Sequence, residues 1–130
     1  MTFVYKTGVS HMQRTALIDY LAQLPEADSS FPFGPEAEVF KVSGKMFALV
    51  AHYNGEWRIT LKGTPVDNIF LCEQFTGIIP GYHMNKQHWI TVSLEQDVNA
   101  SMICDLAKQS YTLVVSKLPK GERTRLQMLE

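Results

Sequence analysis

Two glycine turns constrain this chain most. Ser43-Gly44 and Asn54-Gly55 divide residues 37–62 into three β-type runs, 37–42, 45–53 and 57–62. Asn-Gly supplies the two positive φ angles of a type I′ turn, whose twist matches that of antiparallel strands, so the second and third runs form a tight hairpin. With the first run joined through Ser43-Gly44, a three-stranded antiparallel meander results. Its last strand alternates, with Trp57, Ile59 and Leu61 on one face and Arg58, Thr60 and Lys62 on the other. One face of the sheet is therefore covered and the other at least partly open.

The flanking segments supply the cover. Over 11–24, Met12, Ala16, Leu17, Ile18, Leu21 and Leu24 fall at helical intervals behind Ser10 as an N-cap. Pro25 ends that helix, and Phe31-Pro32-Phe33-Gly34-Pro35 reads as a stiff loop that packs on the core. Thr64-Pro65 is an N-cap followed by proline at the first helical position; Val66, Ile69, Phe70 and Phe75 give that short helix its apolar face, and Gly77 ends it. A second hairpin is expected from 78–84 and 88–94, reversing at 85–87. A final helix starts after Asp97 or Asn99 and turns Met102, Ile103, Leu106, Ala107, Leu113 and Val114 inward before Pro119. The expected class is α+β, a two-layer sandwich with an antiparallel sheet, helices on one face and the order α-β-β-β-α-β-β-α.

At 130 residues the chain matches one domain, 1–130, with 1–10 and 121–130 as candidate flexible ends. Its formal net charge of −1 excludes a protein whose whole surface attracts nucleic acid or anionic lipid, so any polyanion site must be local. Cys72 and Cys104 stand in apolar helical contexts outside any C-x-x-C pair and read as buried, reduced thiols. No stretch approaches a membrane span and the start has no signal-peptide pattern, which places the expected protein in the cytoplasm with no membrane partner.

Several segments, taken together, resemble the MmcQ/YjbR family. They are Phe31-Pro32-Phe33-Gly34-Pro35, Val39-Phe40-Lys41-Val42 leading to Lys45-Met46-Phe47-Ala48, Leu61-Lys62-Gly63-Thr64-Pro65, the block from Pro80-Gly81 through His88-Trp89, and Ser110-Tyr111 followed by Leu118-Pro119-Lys120. The similarity spans residues 12–120. It implies a two-layer α/β fold and a DNA-binding role, proposed within the family, through winged hairpins.

Motifs for catalysis are absent: there is no P-loop, dinucleotide fingerprint, nucleophile elbow or H-E-x-x-H. His83 and His88 lack a third ligand nearby, and Ser110 beside Tyr111 has no base placed by sequence. A non-enzymatic protein without metal or cofactor is expected. The remaining constellation joins Lys41, Arg58 and Lys62 on the sheet to Asn85, Lys86, His88 and Trp89 at the second hairpin. Cations neutralise phosphates and an exposed indole offers a stacking surface, the pairing that nucleic-acid sites use. The competing readings are a solvated strand face, a self- or partner-binding surface built on Phe40, Val42 and Trp89, and a small-molecule site between the 31–35 loop and the sheet.

Overall fold

A computed structural model describes residues 11–81 and 84–130; Ser10 and His83, both singled out above, lie outside them. The elements run α1 (Arg14–Ala22), β1 (Ala27–Ser30), β2 (Ala37–Val42), β3 (Lys45–Tyr53), β4 (Glu56–Lys62), α2 (Pro65–Gln74), β5 (Ile78–Pro80), β6 (Trp89–Ser93), α3 (Ala100–Ser116) and α4 (Lys120–Gln127). All strands join one antiparallel sheet in the order β1-β2-β3-β4-β6-β5. The α+β class and the meander are as expected. Both of its turns have positive φ at their central residues, Ser43 and Gly44 in one, Asn54 and Gly55 in the other.

Register sorts the faces. Ala48, Leu61 and Ile90 stand in one cross-strand row, and Val50, Ile59 and Val92 in the next. Against these α3 packs Ile103, Leu106, Ala107, Tyr111 and Val114, while α1 adds Leu17 and Leu21. Phe47 stands edge-on to Tyr111 at 5.3 Å and 6.3 Å from Phe40. The Tyr111 hydroxyl donates to the Pro25 carbonyl at 2.7 Å, which joins α3 to the chain leaving α1.

Several expectations need correcting. Residues 27–30 form an edge strand that the expected element order lacks: Glu26 takes a φ of 57°, and the chain then pairs with β2 from Val42 to Val39. Polar Asp28, Ser29 and Ser30 gave no apolar signal, because an edge strand is held by backbone hydrogen bonds. The 31–35 loop leaves Phe31 and Phe33 exposed instead of packed on the core. On α2 the apolar face is turned: Val66, Ile69 and Phe70 are 77%, 62% and 59% exposed, whereas Leu71 and Cys72 pack inward beside Phe75, the one residue of the expected face that does so. The second hairpin has shorter strands than expected, joined by 81–88. Residues 121–130 are not a loose end: α4 buries Leu126 in the core, and Arg125 ties Glu122 to Glu26. Phe40 and Val42 are core residues, so they build no open surface.

Candidate nucleic-acid interface

Strand β4 carries Lys62 at its end, opposite Trp89 of β6. The Lys62 backbone N–H donates to the Ser110 hydroxyl at 2.9 Å, and that hydroxyl donates to the Phe47 carbonyl at 2.6 Å. Buried Ser110 therefore locks α3 to β3 and β4 where the candidate site begins, which is a structural task rather than a nucleophile's. The Lys62 ammonium lies 5.9 Å from the centre of the Trp89 ring, within cation–π range. Around this pair opens a cleft of about 460 Å³ lined also by Lys45, Met46, Met84, Val114 and Lys117. Lys45 follows the Ser43-Gly44 turn and Lys117 caps the C-terminus of α3. Among the described residues these three lysines make no ion pair, and no carboxylate lines the cleft. A chain of net charge −1 thus concentrates three cations beside one half-buried indole.

The 84–88 segment supports this cleft from the side. Asn85 Oδ1 accepts from the N–H groups of Gln87 and His88, and the Asn85 carbonyl accepts from His88 and Trp89. Lys86 Nζ donates to the Gly81 carbonyl at 3.2 Å, and the Gly81 N–H donates to the Trp89 carbonyl at 2.7 Å. A Cβ on Gly81 would come within 2.6 Å of the Trp89 Cβ, so only glycine lets the two backbones approach this closely. Asn85 and Lys86 shape the loop. His88 is exposed and its carbonyl accepts from Gly63.

The other two expected site residues stand apart. Lys41 lies two strands away on β2, opposite Met46 and Asp28, next to a β-bulge at Phe40/Lys41. Arg58 lies over the Tyr53 ring at 4.5 Å and pairs with Glu56 at 3.1 Å, facing a different cavity. Sequence reasoning passed over Lys45 and Lys117; the available signals were a lysine directly after a tight turn and one at a helix end, each too common to single out. Burial pushes the Cys72 and Cys104 thiols up, and both are free and half-buried rather than fully buried. Burial likewise pushes the Tyr111 hydroxyl up to about 12. Among the described residues no group of three or more His, Cys, Asp or Glu side chains would hold a metal ion.

The family model YjbR matches residues 22–113. YbdF of Escherichia coli O157:H7 is 38% identical over 104 residues, 80% of this chain and 85% of that protein. YjbR of Escherichia coli K12 is 31% identical over 118 residues, 91% of this chain and 100% of that protein. Both are described as uncharacterized. The crystal structure of a Deinococcus radiodurans protein with a DUF419 domain superposes with a TM-score of 0.81 at 35% identity, covering 90% of this chain and 89% of that one. A Pseudomonas syringae protein gives a TM-score of 0.68 at 32% identity, covering 78% of this chain and 98% of that one.

Proposed function

The chain belongs to the YjbR family, and from that premise we propose that it is a non-enzymatic binding protein that takes DNA weakly at the Lys45–Lys62–Lys117 cleft. What supports this reading is that three lysines, without ion-pair partners among the described residues, line one cleft with the Trp89 ring. The lysines hold phosphates, and the indole face stacks on a base or wedges between bases, a contact worth about 1–3 kcal/mol per base. Arg58 is not part of this site, because it lines a different cavity, on which none of the three lysines lies. A half-buried indole in a narrow cleft admits an unpaired base more readily than a stacked pair, so single strands should bind better than duplex. Among the described residues no helix is long and apolar enough to cross a membrane, and we place the protein's work in the cytoplasm.

Three neutralised phosphates predict a slope of log affinity on log salt of roughly −2 to −3, or a loss of about 20- to 40-fold between about 50 and 200 mM. Fluorescence anisotropy of a labelled oligonucleotide measures it. A variant with Lys45, Lys62 and Lys117 all changed to Glu should lose binding while keeping its melting curve. Unchanged binding by a folded triple variant would refute the reading.

A second reading, protein interaction, has one observation in its favour. Val66, Ile69 and Phe70 share the outward face of α2, where three large apolar side chains stand in solvent. Under that reading Phe70→Asp changes the molecular mass seen by light scattering and leaves oligonucleotide binding alone.

A further inference from the structure

The sheet face turned away from α3 holds a second cavity, of about 790 Å³, that the cleft lysines do not line. Its floor follows from the strand register. Ala37, Ala51 and Arg58 form one cross-strand row, and Leu49 and Thr60 stand in the next. Two alanines side by side leave the sheet face hollow, Pro35 of the loop before β2 walls one side, and Met84 walls another. The lining is predominantly apolar, and its volume falls within the range of small-molecule sites, which are concave and apolar with a few placed polar groups.

Arg58 is the placed polar group. Its side chain is only 15% exposed, and its guanidinium is held by the Tyr53 ring at 4.5 Å and by Glu56 at 3.1 Å. Its Nε–H has no partner among the described residues, although the atom is buried. Nη1 donates to the Tyr53 hydroxyl at 3.4 Å and Nη2 pairs with Glu56, so Nε–H is the donor left for one charge-assisted hydrogen bond to an oxyanion. The Thr60 hydroxyl is already matched to Thr91 at 2.9 Å. Exposed Glu36, also on the lining, opposes a second anionic group.

We propose that this cavity binds a small organic monoacid, its apolar body on Ala37, Leu49, Ala51 and Met84 and its carboxylate on Arg58. The site shares Met84 with the nucleic-acid cleft but none of its lysines, and its test stands or falls independently of that reading. Entry of the acid group requires a small turn of the Arg58 side chain, because its Nε is covered by protein.

The test uses anilinonaphthalene sulfonate, an apolar aromatic dye with one acid group, displaced by octanoate or by octanol. Octanoate should displace the dye at lower concentration than octanol. Arg58→Gln should weaken octanoate by roughly 10- to 100-fold, the worth of a charge-assisted hydrogen bond, and leave octanol unchanged. Ala51→Phe fills the hollow and should abolish displaceable dye binding, while Phe70→Ser on the outside of α2 should not. Since Ala51→Phe could disturb the fold, amide NMR shifts of the unmodified protein give a second readout, with octanoate moving Leu49, Ala51 and Thr60. Equal displacement by octanoate and octanol, dye binding that survives a folded Ala51→Phe, or shifts confined to α2 would overturn the proposal.

Discussion

Changing Ser110 to Ala removes one oxygen and leaves two main-chain groups without their partner. The hydroxyl accepts from the Lys62 N–H at 2.9 Å and donates to the Phe47 carbonyl at 2.6 Å, and its residue is fully buried. A buried N–H deprived of its acceptor costs about 1–3 kcal/mol, and the lost donor to a carbonyl about 1 more. Alanine's better helix propensity returns about 0.5. The net destabilisation is roughly 1.5–3.5 kcal/mol, a large share of the 5–15 typical of a domain. In a urea titration with a slope near 1.5 kcal/mol/M the midpoint should fall by roughly 1–2.3 M with the slope unchanged. Because the same hydroxyl fixes the Lys62 backbone, oligonucleotide affinity should fall under conditions where the variant is still folded. A midpoint shift worth less than about 0.5 kcal/mol, the usual range for surface changes, would show that the Ser110 bridge is not the lock between α3 and the meander.

Leu61→Asp should abolish cooperative unfolding, since an unpaired carboxylate in the core costs several kcal/mol; a normal melt would contradict the β4 register. The Arg125 guanidinium holds the Glu26 and Glu122 carboxyls below their usual 4.5, so the stability they contribute is present above that value and lost as pH falls through the lowered values. In Arg125→Ala, urea midpoints measured from neutral pH downward should therefore decline less steeply below about pH 4.5 than in the parent protein. Tyr111 is folded in its neutral form, so its contribution is complete below pH 10 and disappears as pH rises toward about 12; Tyr111→Phe should flatten that alkaline limb of the melting curve. Gly81→Ala should lower both stability and oligonucleotide affinity, because the added Cβ displaces Trp89, and unchanged binding would remove Trp89 from the site.

The parts of the fold legible in the sequence were those that carry local chemistry. Asn54-Gly55 and Ser43-Gly44 demand positive φ, and Thr64-Pro65 and Asn99 cap helices whose first turns they satisfy, Thr64 accepting from Asp67 and Asn99 from Met102. Ile59, Leu61, Ile90 and Val92 alternate because one side of their strands is core. What escaped was decided by tertiary packing. Nothing local distinguishes Val66, Ile69 and Phe70 from Leu71 and Cys72 as the inner face of α2; the edge strand β5 and the buried Asn68, which donates to the Gln87 carbonyl, decide it. Likewise Leu126 is one apolar residue among Lys120, Glu122, Arg123 and Arg125, and only its burial in the core explains why α4 docks. At the candidate site, Lys62 and Trp89 were legible as a sheet cation and a hairpin indole, but their pairing across β4 and β6 was not. Arg58 was misgrouped with them because alternation places it on the same face but cannot show that Tyr53 and Glu56 hold it over a separate hollow.

The central claim is that Trp89 and its lysines receive nucleic acid, and the two indole N–H signals of the proton–nitrogen NMR spectrum test it within one sample. Trp57 packs against the core, with the Arg14 guanidinium 4.1 Å from its ring centre and the His52 ring edge-on at 5.1 Å, away from the cleft. Titration with a short single-stranded oligonucleotide at about 50 mM salt, where phosphate contacts are strongest, should move the Trp89 indole signal and leave that of Trp57 in place. Movement of Trp57 alone, or no movement of either at saturating oligonucleotide, would contradict the account.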